Sequence, residues 1–156
     1  MKNDTNVSNE TSTVAKATEL LAQWLGEDAS AFEEARFDSY GLTVLEIGSD
    51  SYAVGTDDEC DTACLSYIED TAWAFNGEFV CRVCGLPSEL AQALDQWRSD
   101  KCEDANLVML RLINRCSSIE EFTRQAIAAD GRGHFLASYD SNEIELGDGL
   151  FAYRIG

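Results

Sequence analysis

Six cysteines and one histidine are the residues of this 156-residue chain whose types could do chemistry beyond charge. Cys60 and Cys64 are spaced CxxxC, Cys81 and Cys84 CxxC, and four thiolates in a tetrahedron are a standard shell for structural zinc. The spacing argues for something plainer. A CxxxC pair inside an amphipathic helix puts both thiols on the apolar stripe, where cysteine behaves as a small hydrophobe, and structural zinc more often uses two knuckle-like turns. Redox use of Cys81 and Cys84 would need the motif to open a helix after a strand. These four are therefore expected as buried core cysteines and all six as reduced thiols, with no metal and no cofactor.

His134, in Asp130-Gly131-Arg132-Gly133-His134-Phe135, has the chemistry of a general base oriented by Asp130 or Asp140. No serine or cysteine lies in a nucleophile context such as GxSxG, so no catalytic residue is assigned. A small enzyme or metal-binding protein centred on His134 and Asp130, or on the cysteines, is the competing reading. Gly131-Arg132-Gly133 follows a helix and leads into an expected strand, the reverse of the order that brings phosphate to a helix N-terminus. Asp140, Asn142, Glu143, Glu145 and Asp148 have oxygens suited to calcium but lack the DxDxDG order of an EF-hand loop.

Carboxylates dominate the rest. The chain holds 29 acids against 11 bases, a formal net charge of −18. Between residues 27 and 70 the acids are Glu27, Asp28, Glu33, Glu34, Asp38, Glu46, Asp50, Asp57, Asp58, Glu59, Asp61, Glu69 and Asp70, against the single base Arg36. Such a chain repels nucleic acid and anionic membrane surfaces. Acids at i, i+3 and i+4 of a helix lie roughly 5 to 6 Å apart, comparable to neighbouring phosphates along a nucleic-acid strand. Such a face could occupy the basic groove of a nucleic-acid-binding protein. The best-placed contacts are Asp57, Asp58, Asp61, Glu69 and Asp70, with Glu33 and Glu34 beside them. Solubility alone, as in a halophilic protein, would account for the same composition.

These residues need elements to present them. Residues 1–12 are polar and aperiodic and read as a disordered leader; residues 13–156 read as a single acidic domain. Val14, Ala17, Leu21, Trp24 and Leu25 recur at helical spacing up to Gly26. Thr43–Ile47 and Tyr52–Val54 flank Gly48-Ser49-Asp50-Ser51, a hairpin pattern. Thr56-Asp57-Asp58-Glu59 is a capping box opening a helix to about Phe75, with Cys60, Cys64, Tyr67, Ile68, Thr71 and Phe75 inward. Trp73-Ala74-Phe75-Asn76 reads as a core cluster at its end, with Asn76-Gly77 as termination chemistry.

Shorter helices follow through Phe79–Val83, from Ser88 through Leu90, Leu94 and Trp97, from Glu103 to Arg115 through Leu107, Leu110 and Ile113, and from a second capping box, Ser118–Glu121, to Gly131. Alternation then predicts strands over His134–Tyr139, Glu143–Leu146 and Leu150–Ile155, a three-strand meander. The class is α+β, about five helices on a small antiparallel sheet made of the early hairpin and the late meander.

Apolar residues make up 45% of the composition, enough to fold. No apolar run has the length to span a bilayer, and the N-terminus lacks the apolar core of a secretory signal. A cytoplasmic location is expected, and a homo-oligomer is compatible with the composition.

Two stretches carry a resemblance: Thr56-Asp57-Asp58-Glu59 with Tyr67-Ile68-Glu69-Asp70 and Trp73-Ala74-Phe75-Asn76, then Asp130–Asp140 with Tyr153-Arg154-Ile155. Over roughly residues 50 to 156 the chain resembles a group of small uncharacterised acidic proteins encoded by bacteriophages and other mobile elements. The resemblance implies context. Small acidic phage proteins often inhibit host restriction systems, defence nucleases or CRISPR complexes, some by imitating DNA. It implies a non-enzymatic inhibitor whose partner is a basic nucleic-acid-binding protein of the bacterial host.

Overall fold

Two tight turns and one capping box organise the first part of the chain. The structure, a computed structural model, describes residues 4–156, with side-chain surroundings from residue 11 onward. Contacts group the chain into two compact units, Met1–Cys64 with Gly131–Gly156, and Leu65–Asp130.

In the first unit, helix α1 (Asp4–Leu25) covers most of the stretch expected as a leader; residues 1–3 of that stretch lie outside the described residues. No glycine or proline interrupts this segment, so a helix propagates through its polar residues at one hydrogen bond per residue added. Ala17, Leu21 and Ala22 are buried, and Leu25 packs against the same cluster. Trp24, expected inward, is 58% exposed.

Strand β1 (Glu33–Ser39) lies where the sequence pattern predicts no strand. Its acids give no apolar alternation, because as an edge strand it is exposed or half-exposed throughout. Tyr40 and Gly41, with φ of 53° and 87°, form the two-residue turn into β2 (Leu42–Ile47). Positive φ at both positions matches the twist of antiparallel strands. The expected hairpin joins β2 to β3 (Asp50–Thr56), with Ile47 opposite Asp50.

At the other end of the chain, β4 (Glu143–Gly147) and β5 (Leu150–Arg154) turn through Asp148 and Gly149. Strand β3 pairs antiparallel with β5, from Tyr52 opposite Arg154 to Thr56 opposite Leu150. The hairpins thus merge into one five-stranded sheet in the order β1-β2-β3-β5-β4. Leu45, Tyr52, Val54, Ile144, Leu150 and Ala152 meet α1 in the core of this unit. At about 25 cal/mol per Å², each large side chain buried there contributes roughly 1.5–3 kcal/mol.

The strand expected over His134–Tyr139 is replaced by a short helix, numbered last (α7, Arg132–Leu136). Phe135, Leu136 and Ala137 are all buried. Three successive buried side chains do not suit a strand whose side chains alternate between faces. The late meander therefore has two strands, and the fold is α+β with a five-stranded antiparallel sheet.

Helix α2 (Asp57–Thr71) begins in the first unit, and the boundary falls between its Cys64 and Leu65. The second unit continues through a 3-10 turn, Ala72–Ala74, to α3 (Gly77–Cys84), α4 (Ala91–Lys101), α5 (Asn106–Cys116) and α6 (Ile119–Asp130). Asn76 and Gly77 start a helix here rather than only ending one. The Asn76 side chain accepts from Phe79 N at 2.8 Å, which satisfies one of the unpaired first-turn amides of α3. Ser118 caps α6 by accepting from Glu121 N at 3.1 Å, while the Glu121 side chain turns to Arg124 and Gln125.

Ser88, expected as a cap, is instead the first residue of a 3-10 turn whose N-cap position is Pro87. Leu107, expected inward, is 59% exposed, whereas Met109 and Ile113 are buried. Phe75, Phe79 and Phe122 form the aromatic centre, with ring centroids 4.9 to 5.4 Å apart.

Candidate partner-binding surface

The capping box at the start of α2 forms with both arms. Thr56 N donates to Glu59 Oε2 at 2.7 Å, and Glu59 N donates to Thr56 Oγ1 at 3.4 Å. Asp57, Asp58 and Glu59 therefore crowd the first turn, where the helix dipole and unpaired amides favour negative charge. Asp57, Asp58 and Asp61 are exposed, as are Glu33 and Glu34 on β1. All five lie in the first unit. Glu69 and Asp70, also exposed, belong to the second.

The residue that orders this surface is Arg132, whose sequence context, Gly131-Arg132-Gly133, resembles only a phosphate loop and does not announce an ion pair. Its side chain is 9% exposed. Nη1 donates to Asp57 Oδ1 at 2.8 Å, to Asp61 Oδ1 at 3.1 Å and to the Asp57 carbonyl at 3.2 Å. Nε donates to Glu143 Oε2 at 2.7 Å, and the guanidinium lies 4.4 Å from the Phe151 ring centroid. Burial works against its charge, but the hydrogen bonds it donates to Glu143 and Asp57 outweigh that and hold it protonated. Asp57 and Asp61 remain 65% and 58% exposed. Arg132 thus fixes two carboxylates one helical turn apart and leaves most of each in solvent.

Both neighbouring glycines are required for this placement. Gly131 has φ 77° and ψ 156°, a region essentially reserved for glycine. A Cβ on Gly133 would stand 2.5 Å from the Ser141 carbonyl oxygen.

The Tyr153 hydroxyl donates to the same Glu143 Oε2 at 2.6 Å. Burial, first, and the Glu143 hydrogen bond raise the Tyr153 pKa. Burial likewise pushes Cys60 up to about 11 and Cys64 up to about 12. These thiols are neutral at physiological pH, whereas metal ligation and nucleophilic attack use the thiolate. Among the described residues no group of three or more His, Cys, Asp and Glu is placed to hold a metal ion.

His134 is exposed on α7, its ring edge-on to Phe135 at 4.9 Å. Asp140, also in the first unit, accepts from Asn142 N at 2.9 Å, which is turn chemistry. Asp130 belongs to the other unit.

The first unit carries eighteen acids against five bases, a net of −13, and the second eleven against six, a net of −5. Among the described residues Lys16 pairs with Asp148, Arg132 as above, and Arg154 with Asp50.

No family model, curated protein or solved structure matches this chain. Among the described residues no helix is long and apolar enough to cross a membrane.

Proposed function

We propose that the chain is a non-enzymatic binding protein of the phage inhibitor kind, acting in the bacterial cytoplasm on a basic nucleic-acid-binding host protein by imitating DNA. Anti-restriction and anti-CRISPR proteins are the classes it would join. One observation carries the reading: a buried arginine holds Asp57 and Asp61 in place while leaving them more than half exposed, in a unit of net charge −13. Holding charged side chains in one geometry costs conformational entropy. A surface that only had to be soluble gains nothing from this ordering, whereas a binding surface repays it through lower entropy loss on association. An acidic face displaces counterions from a basic groove as DNA would, which makes the binding steeply salt-dependent.

The test begins with capture from bacterial lysate at low and moderate salt on the native chain. Two variants run beside it, one with Glu33, Glu34, Asp57, Asp58 and Asp61 changed to Gln or Asn, the other with Glu69 and Asp70 so changed. A retained protein is then purified and its complex with labelled duplex DNA or RNA is challenged with each chain. Displacement of the nucleic acid by the native chain and not by the first variant supports the proposal. Diffuse retention lost equally with salt from all baits, or captured protein that keeps its nucleic acid, sinks it.

A further inference from the structure

Helix α5 carries an outward face whose charges are ordered along the chain. The 3-10 turn Cys102–Ala105 leads directly into α5, and Asp104, Leu107, Val108, Arg111 and Arg115 all lie exposed along this stretch. Spacings of three and four residues set them on one side of the helix, away from the buried Met109 and Ile113. Leu107 and Val108 are 59% and 50% exposed, two adjacent large apolar side chains in water. Among the described residues Asp104, Arg111 and Arg115 belong to no ion pair. Asp104 and Arg111 are seven residues apart, about 10 Å at 1.5 Å per residue, too far to pair within one chain.

We propose that this face is a homodimer interface, on which a second copy of the chain docks its own α5 antiparallel. Read along the helix, the order is acid, apolar pair, base, and that order is its own complement when the second helix runs the other way. A two-fold axis between Leu107 and Val108 sets Leu107 of each copy against Val108 of the other and Asp104 of each copy beside Arg111 of the other. The helix dipoles then run in opposite directions. A neutral or uniformly charged partner would match only part of the pattern. The face lies on the less acidic unit, net −5 against −13, where like charge opposes a second copy less. One helix face is at the small end of specific interfaces, so the dimer is weak and forms at about 100 µM rather than at nanomolar concentration. Each chain carries −18. Salt screens that long-range repulsion and leaves the apolar contact in place, so it strengthens the dimer, the reverse of its effect on an acidic surface holding a basic partner.

The experiment is analytical ultracentrifugation of the reduced chain from about 10 to about 300 µM, in low and in about 0.3 M salt. Asp104→Arg and Arg111→Asp are run alone and then mixed in equal amounts, and a chain with Leu107→Asn and Val108→Asn runs beside them. The expected result is a monomer–dimer equilibrium of the native chain that moves toward dimer as salt rises. Each charge variant alone associates about tenfold more weakly, since two attractive pairs become two repulsive ones. Their mixture recovers native association, because every charged contact between the two variants is again acid to base. The Leu107 and Val108 variant stays monomeric in both salts. All the substituted side chains are exposed, circular dichroism reads their folding, and the double variant Asp104→Arg with Arg111→Asp provides the same recovery within one chain. A native chain that stays monomeric throughout, a dimer indifferent to the Leu107 and Val108 changes, or charge variants that associate no better mixed than apart overturns the proposal.

Discussion

Arg132 and Glu143, eleven residues apart, meet through a 2.7 Å charge-assisted hydrogen bond from Nε to Oε2, and that same oxygen accepts the Tyr153 hydroxyl at 2.6 Å. Glu143 thereby links the guanidinium that holds α2 to a fully buried tyrosine of β5.

Removing Arg132 should therefore cost more than a surface ion pair. Fully buried pairs cost about 3–5 kcal/mol when one partner is deleted. Here the carboxylates are one-third to two-thirds exposed, so Arg132→Ala is expected to lose about 2–3 kcal/mol in urea unfolding. Arg132→Lys should recover less than half, because an ammonium lacks the planar fork and the stacking on Phe151. A loss under about 0.5 kcal/mol would mean that solvated carboxylates offset the whole network.

Alkaline stability follows from the buried thiols. Cys60, Cys64 and Cys84 have pKa values pushed up to about 11, 12 and 11 by burial, from an ordinary 9.0. The folded chain keeps their protons longer than the unfolded chain. Their contribution is whole below pH 9 and is lost as pH rises through about 11 to 12. Unfolding midpoints should fall steeply over that window, and Cys64→Ala should fall less steeply, whatever its stability at pH 7.

Acid has the opposite sign. Hydrogen bonds from Arg124 and Gln125 hold Glu121 down to about 2, from an ordinary 4.5. Its contribution is present above pH 4.5 and is lost as pH falls through about 2. Glu121→Gln should flatten the acid limb of a stability–pH curve over that range; an unchanged limb would show that the pairing persists in the unfolded chain.

Gly133→Ala should destabilise by roughly 2 kcal/mol or more, because its Cβ would meet backbone atoms of Ser141, Asn142 and Glu143 at 2.5 to 2.8 Å. Gly85→Ala is the control. It adds left-handed strain at φ 65° with nothing within 4 Å, at a cost of about 1 kcal/mol. Comparable losses in thermal unfolding would show that the Gly133 turn yields easily.

Thr56→Ala removes one arm of the capping box and should cost about 1 kcal/mol. Circular dichroism during denaturation would register it, and Thr56→Ser should restore most of the loss.

Local chemistry carried the elements that could be read from residues. The capping box at Thr56 and Glu59, the Gly48 hairpin, the Asp148-Gly149 turn and the stops at Gly26 and Gly85 each depend on neighbours a few positions away. Strand β1 was illegible because an edge strand need not alternate, and its turn uses Tyr40 at positive φ where Asn or Asp would have signalled it. His134–Tyr139 misled because its letters alternate loosely while Phe135, Leu136 and Ala137 are buried in succession.

The acidic residues themselves, Asp57, Asp58 and Asp61 included, were evident from composition and helix phase, since charge and periodicity are properties of the string. Which of them are held, and by what, depended on Arg132 reaching residues 71 and 75 positions away. The joining of two hairpins through β3 and β5 is likewise a contact between distant segments. Closing such long loops costs entropy that no local preference records, so these pairings emerge only when the whole chain is packed and its buried polar groups find partners.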